Sequence, residues 1–99
     1  MANNVSEQST VVAAKDQVSS NLSGEVVILN LSAGMYYGLD EVGARIWELL
    51  QEPRTVSEIQ ETISMEYDVE RSRVDHDVVA LLQRLSDEKL IEVRITKST

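Results

Sequence analysis

A chain of 99 residues, 42% of them hydrophobic, is long enough for one packed domain. With one Trp, three Tyr and no Phe, its core has to be mainly aliphatic, and the absence of cysteine excludes disulfides, a thiol nucleophile and cysteine-based metal sites. Nine basic against seventeen acidic residues give a formal charge of −8, which argues against nucleic-acid phosphates and anionic membrane surfaces and leaves neutral or basic partners.

Residues 1–10 (MANNVSEQST) are small and polar and predict a disordered tail, leaving residues 11–96 as a single domain. This start lacks the charged-then-apolar pattern of a secretory signal, and no apolar run approaches the roughly 20 residues needed to span a bilayer. The expected compartment is therefore the cytoplasm. Val18–Leu22 reads as a short strand, stopped by the turn pair Ser23-Gly24. Glu25–Leu31 (EVVILNL) is apolar on both faces, which predicts a central strand. Ser32-Ala33-Gly34 is a connection ending in glycine, as a tight hairpin requires, and Met35–Leu39 (MYYGL) returns as the partner strand. The three make a meander whose last strand is an edge.

After Asp40 the apolar period lengthens from two to about 3.6. Asp40 is placed to cap a helix, with Glu41 in its first turn. Val42, Ile46, Leu49 and Leu50 form its stripe, Trp47 lies beside it, and the helix ends before Pro53. Thr55-Val56-Ser57-Glu58 matches a capping box and starts a second helix, lined by Val56, Ile59 and Ile63, that runs to about Glu66. A third helix is predicted from Val69 or Glu70 to Lys89, with Val74, Val78, Leu81 and Leu85 as its core seam. Leu90–Ile95 alternates Ile91, Val93 and Ile95 against Glu92 and Arg94, a half-buried final strand. The fold class is α+β: a three-stranded antiparallel β-meander, then a three-helix unit like a winged helix-turn-helix, then a short C-terminal strand.

Catalysis needs convergent reactive groups, and the sequence offers none. His76 is the only histidine, which rules out a His-His metal pair and makes a solvated surface residue the better reading. The glycines at 24, 34, 38 and 43 form no phosphate-binding pattern, and Gly24 and Gly34 read as turn residues. The seventeen acids read as a solubilising face. No cofactor and no metal are expected, and the chain does not read as an enzyme. A helix-turn-helix outline suggests DNA, but the third helix sets Arg71, Arg73, Arg84 and Lys89 against Glu70, Asp75, Asp77, Asp87 and Glu88. A phosphate-facing helix should be net basic.

The exposed strand edge is what remains. Met35, Tyr36, Tyr37 and Gly38 lie where unpaired N–H and C=O groups invite an incoming peptide strand. On the third helix Val79 and Leu82 fall off the expected seam, with Asp75 one turn earlier, and packed beside the edge they would give a groove with an apolar floor and an acidic lip. The alternative is that Tyr36, Tyr37, Val79 and Leu82 complete the core. The same open edge can also pair with a second copy, so a monomer or a weak homodimer is expected.

EVVILNLSAGMYYGLDEVGARIWELL followed by RTVSEIQETISMEYDVERSRVDHDVVALLQRLSDEKLIE resembles the PqqD-like family of peptide-recognition proteins over about Val18 to Glu92. The order and spacing of YYGLDEVGARIWELL, TVSEI and VVALLQRLSDEKLI carry the likeness. The resemblance implies a non-catalytic module that holds the leader of a ribosomally made precursor peptide as an added antiparallel strand, between the third strand and the third helix. A processing enzyme then acts on the presented peptide. The Tyr-Tyr-Gly-Leu and Ile-Trp-Glu-Leu-Leu wording is most similar to the stand-alone proteins of lasso-peptide pathways, which serve a leader peptidase. The alternative is a carrier of the pyrroloquinoline quinone precursor to a radical S-adenosylmethionine enzyme, and a DNA-binding winged helix stands behind both. Carried onto this chain, the resemblance implies an edge at Met35, Tyr36, Tyr37 and Gly38 and a helical wall of Arg71, Asp75, Val78, Val79 and Leu82. Asp75 would face a basic leader residue. Val27 and Leu29 share one face of their strand and would support the floor if that face meets the groove.

Overall fold

Two three-stranded antiparallel sheets frame three helices in the computed structural model, which describes residues 5–15, 17–22 and 25–94. In chain order the elements are β1 (Thr10–Ala13), β2 (Gln17–Leu22), β3 (Glu25–Asn30), β4 (Met35–Leu39), α1 (Glu41–Leu49), β5 (Arg54–Thr55), α2 (Val56–Glu66), α3 (Arg71–Asp87) and β6 (Ile91–Arg94). The α+β order of strands before helices is the one expected.

The meander is β2-β3-β4, with β3 central and β4 at an edge. Val26, Ile28 and Asn30 point into the protein, whereas Val27 and Leu29 alternate onto the opposite, half-buried face. Asn30 is a buried polar residue because it builds the turn. Its side-chain oxygen accepts from the backbone N–H of Ser32 (3.0 Å) and Ala33 (3.1 Å), and its carbonyl accepts from Gly34 N–H (2.9 Å). Gly34 sits at φ 68°, a left-handed conformation that an L side chain adopts only at a cost. The Ser23-Gly24 turn pair and Ile95 lie outside the described residues.

The second sheet, ordered β5-β1-β6, contains two strands not expected from the sequence, β1 and the two-residue β5. β1 pairs along its length with β6, from Thr10 opposite Arg94 to Ala13 opposite Ile91. The described part of the expected tail is also packed. Val5 is 7% exposed and Ser9 2%, and their neighbours finish a helix: the carbonyls of Ser9 and Glu7 accept from the first N–H groups of α2, at Val56 (3.0 Å) and Ser57 (3.1 Å). Helix starts leave such donors without an internal partner, and a short polar segment can supply the acceptors.

The helix caps follow the local chemistry. Asp40 Oδ1 accepts from Gly43 N–H (2.9 Å), and a Cβ at Gly43 would come within 3.2 Å of that oxygen and of Leu39, so the strand-to-helix corner is tight. Thr55 and Glu58 satisfy each other's backbone donors in a full capping box. α3 ends in a Schellman arrangement, with Leu90 N–H on Leu85 O (2.9 Å), Lys89 N–H on Ser86 O (3.0 Å) and Lys89 at φ 61°. The helix therefore stops at Asp87, two residues before the expected Lys89.

Ile28, Leu50, Val56, Ile59, Val78 and Leu82 are at the centre of one aliphatic core, with Trp47 against it. The seam of α3 is Val74, Val78, Leu82 and Leu85; Leu82 is fully buried, and Leu81, placed on the seam by sequence, is only half-buried. Leucines at adjacent positions give two apolar stripes of nearly equal fit, and only packing chooses between them.

Candidate peptide-binding groove

An open cleft of about 750 Å³ lies where the end of β4 meets α3. Gly38 and Leu39 form its strand side. Val42 and Ile46 of α1, Ile63 of α2 and Val74, Val78 and Leu81 of α3 provide an apolar floor, with Tyr67 and Val69 from the α2–α3 connection. Val42 and Val69 remain 36% and 44% exposed, so apolar surface reaches the rim. The volume falls in the range of ordinary ligand sites, roughly 300–1,000 Å³.

The outer wall is a stripe on α3. Arg73, Asp77, Ala80 and Arg84 succeed one another at four, three and four residues and all line the cleft. Arg73 pairs with Asp77 at 3.7 Å, and Asp40 is held as the α1 cap. At the far end the Tyr37 hydroxyl donates to the Glu88 carboxylate, while Asn30 Nδ2 donates to the Glu88 carbonyl (3.1 Å). One residue at the end of α3 thus bolts the β3–β4 hairpin to that helix. The phenol of Tyr37 is pushed above its usual range, first by that hydrogen bond, then by burial and by the Glu88 charge, with Arg84 opposing. Burial, followed by the nearby Glu41 and Glu66 carboxylates, pushes Tyr67 up as well, so both phenols stay neutral in the ordinary pH range.

β4 presents its backbone edge beside this cleft. Along one edge of an antiparallel strand alternate residues carry unpaired N–H and C=O groups, which a peptide laid alongside can use. Of the residues singled out in the sequence, Met35, Tyr36, Tyr37 and Gly38 form this strand, and Gly38 and Val78 line the cleft. Tyr37 points inward opposite Ile28, whereas Tyr36 is 72% exposed on the outer face opposite Leu29. Val27 and Leu29 belong to that outer face and not to the floor.

The structure does not bring Arg71, Asp75, Val79 and Leu82 to the cleft. Arg71 and Asp75 form an ion pair (2.7 Å) on the other flank, where the Asp75 carbonyl also accepts from Gln60 of α2. Val79 packs half-buried against the core and Leu82 is inside it. Asp77 and Val79 are two positions apart, a turn of about 200° about the helix axis, so they face opposite ways. The missed wall, Arg73, Asp77, Ala80 and Arg84, had a readable signal in its regular helical spacing. Its mixed charge gave no reason to prefer it. Among the described residues no group of three or more His, Cys, Asp or Glu could hold a metal ion, and no helix is long and apolar enough to cross a membrane.

Two solved structures share this architecture. One, TbiB1 in complex with the TbiA(beta) leader peptide, is 41% identical, with 82% of this chain and 94% of that chain covered and a TM-score of 0.76. The other, a lasso peptide synthetase B1 complexed with the leader peptide, is 21% identical, covers 83% of this chain and 96% of that one with a TM-score of 0.73, and speaks to the fold alone. No curated protein matches the chain. The family pattern described as Coenzyme PQQ synthesis protein D (PqqD) matches residues 25–91, more than half of the chain, and the protein belongs to that family.

Proposed function

We propose that this protein binds the leader segment of a ribosomally made precursor peptide as an added strand on β4, and presents the remainder to a processing enzyme. The observation that carries the reading is the continuity of an unpaired strand edge with an apolar-floored cleft against α3. The 41%-identical TbiB1 having been solved with a leader peptide supports it. Such a role asks for no reacting group of the chain's own. Main-chain pairing supplies affinity along β4 and the cleft receives alternate apolar side chains of the peptide. Ordering a flexible leader takes back roughly 2–5 kcal/mol of the interaction energy.

The enzyme served is, in this reading, the leader peptidase of a lasso-peptide pathway, acting in the cytoplasm on a precursor held by a monomer or weak homodimer of this protein. The family description names coenzyme PQQ synthesis, which keeps a quinone-cofactor precursor as the second reading. Titration calorimetry with the TbiA(beta) leader peptide and with a quinone-cofactor precursor peptide separates the two. Saturable binding of the first and not the second is expected; binding of neither defeats the proposal.

Val42→Asp puts a charge on the apolar rim of the cleft while suiting the first turn of α1. Losing apolar contact and burying an unpaired carboxylate costs about 1–3 kcal/mol, so leader affinity should fall roughly 5- to 150-fold with the circular-dichroism spectrum unchanged. Arg71→Ala, on the opposite flank, should bind as the wild type does.

A further inference from the structure

We propose that Arg84 is a specificity-determining residue that reads an acidic side chain of the bound peptide. The inference rests on the peptide-binding reading above and adds the chemistry of one subsite. Four charged residues line the cleft: Asp40, Arg73, Asp77 and Arg84. Three of them are engaged. Asp40 caps α1 through Gly43 N–H, and Arg73 and Asp77 pair with each other.

Arg84 would ordinarily find its own partner one turn on, since Glu88 stands four residues later, at the C-cap of the same helix. That carboxylate instead accepts the Tyr37 hydroxyl. The next acid, Asp87, accepts from Gln83 (3.1 Å). Arg84 makes no ion pair among the described residues, although it is exposed on a chain rich in acids. Its guanidinium is thus left over at the cleft wall, planar and able to bind a carboxylate through two N–H groups.

Taken alone, the net charge of −8 favours a basic ligand. Distance decides between the two effects. At physiological ionic strength exposed charges beyond about 8 Å are largely screened, so at contact the nearest unpaired group sets the preference. The remaining charge acts on the encounter rate and not on the register of the bound strand. The charge preference is therefore opposite to the acidic lip expected from Asp75, which is already paired with Arg71 away from the cleft.

The test is a position-by-position scan of the TbiA(beta) leader peptide, with Glu or Lys substituted singly, titrated into the wild-type chain and into Arg84→Glu and Arg84→Gln at 150 mM salt. In the wild type one position should bind Glu about two- to fivefold more tightly than Lys, the range of an exposed ion pair. At that position the order should invert in Arg84→Glu and vanish in Arg84→Gln, with the other positions unchanged. A scan whose charge preferences are the same in all three proteins overturns the Arg84 assignment while leaving peptide binding intact. Failure of the wild-type chain to bind any of these peptides overturns both. Circular dichroism of each variant excludes loss of fold as the cause.

Discussion

Leu82 shows what a single residue contributes and how its role is disguised. It is wholly enclosed, so Leu82→Ala removes three buried carbons' worth of contact and leaves a void; about 2–5 kcal/mol of stability should be lost, read from a urea unfolding curve. The adjacent Leu81, which lines the cleft, should cost less when truncated. Thr55 is the opposite case, legible in advance because its job is local. Its hydroxyl accepts from Glu58 N–H at 3.1 Å, and Thr55→Ala should lower unfolding free energy by about 1 kcal/mol by the same measurement. The capping box is legible in four consecutive residues. The Tyr37–Glu88 bond is not, because its partners are 51 positions apart.

Among the elements, α3 lines more of the cleft than any other and ends in an unusual way. Its Schellman turn places Lys89, not glycine, in the left-handed region. A side chain there is disfavoured by about 1 kcal/mol, so Lys89→Gly should raise the midpoint of chemical denaturation, with leader affinity unchanged. Without Gly or Asn to mark the stop, the helix read as two residues longer than it is. The same distance effect hid β1. Thr10-Val11-Val12 is a β-branched run, but its partners are β5 and β6, and Ala13 pairs with Ile91. The meander was readable because each of its strands pairs with the next.

For the whole molecule, the acid–base behaviour should define a plateau. Backbone and hydroxyl donation from Thr55 holds the Glu58 carboxyl below its ordinary 4.5, and the hydrogen bond from Arg45 does the same for Glu66. Lowered carboxylate values contribute stability that is present above pH 4.5 and lost as pH falls through the folded-state values. Tyr37 and Tyr67 are raised above 10.0, and their contribution is present below that pH and lost as pH rises through the folded-state values. Thermal unfolding from pH 3 to 11 should therefore show a flat top between about 4.5 and 10 with a fall on each side. Glu66→Gln should soften the acid limb.

Sequence by itself determined the local features of this protein: the hairpin turn, the two capped helix starts, the helical period of the apolar residues, and a strand left at the sheet edge. Hydrogen bonds and periodicities within a few residues are enough to specify these. The strand and the helix that the sequence singled out for a peptide groove, β4 and α3, both line the cleft through Gly38 and Val78. Tertiary structure decided which flank of that helix faces the cleft. A heptad of apolar positions defines which side is buried, but the two flanks of the buried stripe are equivalent until the helix is docked. Docking α3 against α1, α2 and the β3–β4 hairpin turned Arg73, Asp77, Ala80 and Arg84 towards β4, and Arg71, Asp75 and Val79 away from it.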